Sequence, residues 1–262
     1  MHIHVTDTGD GVPVVLLHGL TATHRYVVMG SRTLERSGHR VIAYDARGHG
    51  ASHPAPDGVY DYAALAADLL GVMDERGIDR AVLAGASMGA HTILRVAIQA
   101  PERVGGLVVI TPAYDPVDSA SPETLARWDA LADGLQRGGV EGFVAAYGTS
   151  TVPDAWRETI TTVLRQRLSA HEHPEAVADA IRAVPRSQPF DTLHDLAQVQ
   201  APTVVVADRD EADPGHPLSV GEAYAELIVG AELVVEEPGR SPIAWQGGQL
   251  SKVIAGVAAR AA

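Results

Sequence analysis

Apolar and polar positions alternate between two textures along this chain. Short, nearly continuous apolar runs occur at Val12–Leu17, residues 40–44, 81–84 and 107–110, Thr203–Ala207 and Glu232–Val235. Runs of four to six such residues fit parallel strands covered on both faces. Residues 2–6 alternate instead, which predicts an edge strand. Between the runs lie helix-like stretches: residues 26–37 closed by Gly38, 61–75, 88–100, 218–229 and about 248–259. In the second of these, Leu65, Leu69 and Met73 share one face. Strand alternating with helix predicts a mostly parallel central sheet with helices on both faces. In such sheets ligands bind beyond the carboxyl ends of the strands.

The apolar strand runs stop between residues 115 and 186. Helical stretches are predicted instead at 122–135, 140–146, 154–168 and 174–184. The segment is not low in complexity, so it is an insertion rather than a linker. The expected organisation is therefore a core of residues 1–114 and 187–262 with a helical cap at 115–186.

One turn stands out chemically. The run Ala81-Val82-Leu83-Ala84 leads into Gly85-Ala86-Ser87-Met88-Gly89, and a helical stretch follows. A serine at the apex of a tight strand-to-helix turn takes a strained backbone conformation. The residues two before and two after it must then be nearly free of side chain, as Gly85 and Gly89 are. The turn also aims the first amides of the helix at whatever Ser87 attacks.

Composition narrows the choices. The 262 residues carry a formal net charge of -13, which argues against nucleic acid or an anionic membrane as partner. There is no cysteine, so thiolate catalysis and disulfides are excluded. No basic-then-apolar leader and no bilayer-length apolar stretch is visible, and a cytoplasmic location is the expectation. The partner expected is a small-molecule substrate or ligand.

Several motifs in order give the chain its resemblance to the α/β-hydrolase family. Leu17-His18-Gly19-Leu20 is similar to the family's oxyanion loop. Asp45-Ala46-Arg47-Gly48-His49-Gly50-Ala51-Ser52 is similar to its D-x-R-G-x-G-x-S stretch, and Gly85 to Gly89 to its nucleophile elbow. The resemblance implies an α/β-hydrolase fold with a helical cap and no cofactor. It makes Ser87 the nucleophile, Asp210 the acid, and the Leu20 and Met88 amides the oxyanion donors. It also marks a departure: where the family places its histidine, after the last strand, this chain reads Gly239-Arg240.

Arginine stays protonated and cannot serve as the base. Arg240 is therefore expected to turn into the site and pair with the Asp210 carboxylate. His216, just past the acid strand, is the candidate substitute base. His91, His18, His49, His171 and His173 read as structural or solvated. His2 and His4 share a strand face but show no third ligand, so no metal site is expected. The function expected is a serine hydrolase of a carboxylic ester or related acyl substrate, with an atypical triad lacking the usual histidine. The alternative is a catalytically impaired small-molecule binder on the same fold.

Overall fold

The computed structural model describes residues 1–148, 154–211 and 213–261. Seven strands form one sheet in the order β1-β3-β2-β4-β5-β6-β7. They are β1 Val5–Thr8, β2 Val12–Leu17, β3 His39–Tyr44, β4 Ala81–Ala86, β5 Val104–Ile110, β6 Thr203–Ala207 and β7 Glu232–Val235. Only the edge pair β1–β3 is antiparallel, with Val5 opposite Tyr44. All other neighbours run parallel.

Alternation along the inner strands sorts the core into two layers. Val15, Leu17, Leu83, Leu107 and Val109 point to one face. There they meet α2 (Tyr62–Glu75), α3 (Met88–Gln99) and α7 (Leu218–Leu227). Val14, Leu16, Val82, Val108 and Val204 point to the other face, against α1 (Thr33–Arg36) and α8 (Gly247–Ala261). The continuous apolar runs of the sequence are thus strands buried on both sides.

The helix expected over residues 26–37 is mostly absent. Met29 and Gly30 take φ of 48° and 72°, which breaks the helix and leaves only α1. The edge strand lies at Val5–Thr8, a little beyond the alternating residues 2–6.

Between β5 and β6 the chain forms α4 (Pro122–Tyr147), α5 (Asp154–Leu168) and α6 (Pro174–Ala183). The two helices expected at 122–135 and 140–146 are both present within α4, separated at Gly139, whose φ of 59° and ψ of −147° are not helical. These helices bury their own cluster, including Leu131, Phe143, Leu164, Leu168, Val177 and Ile181. Leu20, from the loop after β2, packs into it. The range 115–186 expected for the cap includes residues 149–153, which lie outside the described residues. No helix among the described residues is long and apolar enough to cross a membrane.

Candidate active site

Ser87 sits between β4 and α3 with φ 50° and ψ −110°. For a residue with a Cβ this costs on the order of 1–3 kcal/mol, so the surroundings must hold it there. They do so by close backbone approach. A Cβ on Gly85 would collide with the Gly89 carbonyl, and one on Gly89 with the Leu17 carbonyl. The Ser87 N–H donates to the Ile110 carbonyl at 2.9 Å, which ties the apex to β5. Met88 opens α3, so its N–H precedes the helix's own ladder and is available to a ligand. Gly19 approaches the Ser87 side chain closely, so the Leu20 loop borders the elbow.

The neighbouring histidines are held neutral. His18 accepts the Ala46 N–H on Nε2 at 2.9 Å and donates from Nδ1 to the Gly19 carbonyl at 2.8 Å. Burial lowers its pKa to about 4. His91 accepts the Ala113 and Tyr114 N–H groups on Nε2, each at 3.2 Å, and faces the Tyr62 hydroxyl from Nδ1 at 3.0 Å. Burial lowers it to about 3. His49 donates from Nδ1 to the Arg47 carbonyl, and burial holds it well below the usual imidazole value. His18 and His49 shape the loops of their motifs, while His91 is a core histidine that holds the backbone of residues 113 and 114.

His171 reaches the core from the insertion. It accepts the Gly50 N–H on Nδ1 at 2.8 Å and donates from Nε2 to the Thr21 carbonyl at 3.1 Å. One neutral ring thus bridges the loop after β2 and the Asp45–Ser52 loop. Burial lowers its pKa too. His173 has a partly exposed side chain, 3.6 Å from Glu175.

The expected pairing of Arg240 with Asp210 does not form. Arg240 is exposed in the turn after β7, where its N–H donates to the Glu237 carbonyl. Among the described residues it makes no ion pair. Asp210 is also exposed and spends Oδ1 on the Leu218 N–H at 2.7 Å, holding the start of α7. The reason is local: Asp210 caps the next helix, and nothing desolvates it enough to demand a guanidinium.

A different carboxylate meets the imidazole. His216 Nδ1 lies 2.9 Å from Asp213 Oδ2, with side chains 25% and 18% exposed. The His216 N–H also donates to the Asp213 carbonyl at 3.1 Å, so both groups ride on one tight turn. Burial pushes the His216 pKa down, but the Asp213 charge and hydrogen bond more than offset it and leave it raised. Burial pushes Asp213 up, and His216 more than reverses that. His216 is near enough to disfavour charge on His91, one turn into the elbow helix. Sequence reasoning missed Asp213. The spacing Asp213-x-x-His216 was visible but is not specific in a loop.

Two further charged groups border this pair. Asp208, at the end of β6, is fully buried, and among the described residues its oxygens face no donor better placed than the Ala244 backbone N–H. Burial, Asp213 and Glu236 raise its pKa to about 7. Arg167, from α5, donates from Nη2 to Thr21 Oγ1 at 2.7 Å, while its buried Nε has no partner among the described residues. It makes no ion pair among the described residues. Burial lowers its pKa, although the nearby Tyr147, Asp213 and Tyr26 favour its charge. A guanidinium therefore stands beside the loop that carries Leu20, with donor capacity to spare.

A family model for the alpha/beta hydrolase fold matches residues 12–191. The chain belongs to this family. It is 32% identical over 245 residues to a 2-hydroxy-6-oxononadienedioate/2-hydroxy-6-oxononatrienedioate hydrolase of Pseudomonas putida, covering 87% of this chain and 83% of that one. Among solved structures it is similar to a thermophilic esterase from Thermogutta terrifontis with malate bound. That match has a TM-score of 0.82 and 28% identity, and covers 99% of this chain and 93% of the other. It is also similar to Est816, an N-acyl homoserine lactone degrading enzyme, with TM-score 0.74, 26% identity, and coverage of 97% and 94%. These relatives support a hydrolase acting on a small molecule.

Proposed function

We propose that this chain is a serine hydrolase of a carboxylic ester or related acyl substrate, with Ser87 as nucleophile, His216 as base and Asp213 as its orienting acid. The observation that carries the reading is the 2.9 Å contact between His216 Nδ1 and Asp213 Oδ2 beside the elbow helix. A carboxylate on Nδ1–H fixes the tautomer and leaves Nε2 free to accept a proton. This replaces the acid assigned to Asp210 and makes the triad less atypical than Arg240 implies. The Asp213–His216 dyad comes from one loop rather than from two strand ends.

The steps follow from the residues. His216 Nε2 takes the Ser87 hydroxyl proton as Oγ bonds to the acyl carbon. The carbonyl electrons move onto oxygen, which accepts the Leu20 and Met88 N–H groups. The tetrahedral adduct collapses, and the departing alkoxide takes the proton from His216. Water, activated by the same imidazole, then attacks the acyl-serine and releases the acid.

Arg167 bears on the substrate class. A half-buried guanidinium whose Nε is shut off from water, with no carboxylate partner among the described residues, is costly unless an anion meets it. The favoured substrate on this reading carries a carboxylate besides its scissile bond, as the dioate named for the Pseudomonas putida relative does. The test is fluorophosphonate labelling with turnover of p-nitrophenyl esters. Labelling and turnover are expected, and both are lost in Ser87→Ala. Labelling that persists in that variant refutes the nucleophile. Absence of both in the unaltered protein would favour the small-molecule binder.

A further inference from the structure

The fold gathers histidines in a second place, away from the Asp213–His216 loop. Residue 4 leads into β1, residue 24 follows the oxyanion loop, and residue 45 ends β3. A ring nitrogen of His4, a ring nitrogen of His24 and a carboxylate oxygen of Asp45 lie within 4.8 Å of one another. We propose that these three side chains form a binding site for a divalent first-row transition metal ion, with Zn2+ as the reference ion. The sequence offered only His2 and His4 on one strand face, and the expectation of no metal site rested on the missing third ligand. Folding supplies two more ligands from positions roughly twenty and forty residues away, which no local spacing reveals.

Three features argue for a built site. First, His24 Nδ1 is 2.8 Å from Asp45 Oδ1. Adjacent ligands on a metal with bonds near 2.0–2.1 Å stand about 3.0–3.4 Å apart, so the pair needs only a small spread. The His4 and His24 ring centroids are 5.2 Å apart, with planes tilted by 48°. Second, the backbone around the donors is pinned. The Asp45 N–H donates to the His4 carbonyl at 3.0 Å and the His4 N–H to Ser52 Oγ at 2.9 Å. The Ser52 hydroxyl returns to the Asp45 carbonyl at 2.6 Å. Asp45 Oδ2 takes the Ala51 N–H at 3.1 Å, and Oδ1 takes the His24 N–H at 2.8 Å. Such outer bonds fix ligand orientation before a metal arrives. Third, access suits an ion. The Asp45 side chain is 2% exposed and that of His24 19%, so the carboxylate forms the floor and an imidazole the rim.

Two imidazoles and a carboxylate select zinc, nickel, copper or cobalt over calcium and magnesium, which prefer oxygen. Without a metal, a proton on His24 Nδ1 bridges it to Asp45. A metal on His24 Nδ1 would take the place of that bridging proton, and the neutral ring would carry its proton on Nε2 instead. The ion would brace the start of β1 against the loop that carries Leu20. His24 follows Leu20 by four residues, and Asp45 precedes the Ala46 N–H that holds His18. The role is structural, and no step of the hydrolysis passes through it.

The test uses the full chain without a histidine tag, stripped of metal, titrated with Zn2+ by calorimetry. One ion per chain is expected, with a rise in melting temperature. His4→Gln and His24→Gln should each weaken binding by about tenfold or more, since altering even an outer partner of a ligand costs 10–100-fold. Both side chains are partly exposed, and circular dichroism checks the fold. Copper(II) paramagnetic resonance on the unaltered protein, showing couplings from two imidazole nitrogens, gives a readout free of substitution. The proposal is overturned if no ion binds in the micromolar range. It is equally overturned if His2→Gln with His53→Gln removes binding while His4→Gln and His24→Gln do not. Those two rings meet at 5.3 Å on the surface and are the competing site.

Discussion

Exchanging one carboxylate for its amide separates the two acids that this chain offers. Asp213→Asn keeps the volume but removes the charge that, on the proposed mechanism, holds His216 in its working tautomer. The 2.9 Å contact would become one between an amide and an imidazole, free to flip the ring's proton to Nε2. In a comparable triad this change lowers kcat about 10⁴-fold, or roughly 5 kcal/mol of transition-state stabilisation. Asp210→Asn is the control. Its amide oxygen can still accept the Leu218 N–H now bonded at 2.7 Å, so the start of α7 stays capped. The expected loss of activity is less than about threefold, because residue 210 then only holds a helix end. The assay is initial-rate hydrolysis of a short p-nitrophenyl ester, normalised to the fraction labelled by fluorophosphonate, with a thermal melt on each variant. A fall of a thousandfold in Asp210→Asn beside near-normal Asp213→Asn would falsify the assignment. Arg240→His completes the set: with Arg240 exposed and an imidazole already paired, it should bring no gain in rate.

Three other outcomes are expected. The base must be neutral and its pKa is raised by Asp213, so kcat/KM should climb with pH through an apparent pKa above 6.5, and the midpoint should fall in Asp213→Asn. Arg167→Met should raise KM about 10–100-fold for esters bearing a second carboxylate and leave neutral esters almost unaffected, a comparison made on matched substrate pairs. Acid should unfold the protein early, as a melt series from pH 7 to 4 would register. His91 and His18 are lowered from 6.5 to about 3 and about 4, so the unfolded chain binds their protons first. Stability is full above pH 6.5 and drains as pH falls toward those values, by up to about 5 and 3 kcal/mol. A flat melting temperature across that range contradicts the buried neutral assignment.

The core of the fold was legible because its signal is local. Each doubly buried strand is a continuous apolar run, and each major core helix repeats its apolar face every three or four residues. The serine elbow was legible for the same reason, since Gly85, Ser87 and Gly89 meet a steric demand within five residues. The failures lie where two distant segments compete. Residues 26–37 looked helical, yet positive φ at Met29 and Gly30 folds them back over α8. Asp210 held the position that the family's motif gives the acid, but its oxygen was claimed by the Leu218 N–H, a contact that only the placement of α7 creates. Arg167 carried no sequence signal, and Asp208 was visible only as the first acid of the Asp208-Arg209-Asp210 stretch after β6. Their importance is an unmet hydrogen-bonding capacity in a buried place, and burial of a particular nitrogen or oxygen is a property of the assembled layers.

This contrast bears on how a base could relocate. A histidine after β7 and an acid after β6 must be brought together by two loops, each free to drift. Asp213 and His216 are three residues apart and share a backbone hydrogen bond of 3.1 Å, so their mutual geometry survives movement of the loop as a whole. Only the placement of that one loop against the elbow then has to be secured. The materials for securing it lie around it: Asp210 ties its start to α7, and the charges of Asp208 and Arg167 act on His216 in opposite senses. A second histidine at position 240 would be redundant under this arrangement. On the same reading an arginine there, turned to solvent, would cost the reaction nothing. The reasoning also sets a limit: loosening the loop, for example by Pro217→Gly ahead of α7, should lower kcat while leaving the paired pKa of His216 nearly unchanged. If the pKa moved together with the rate, the dyad would depend on distant residues after all, and the local argument would fail.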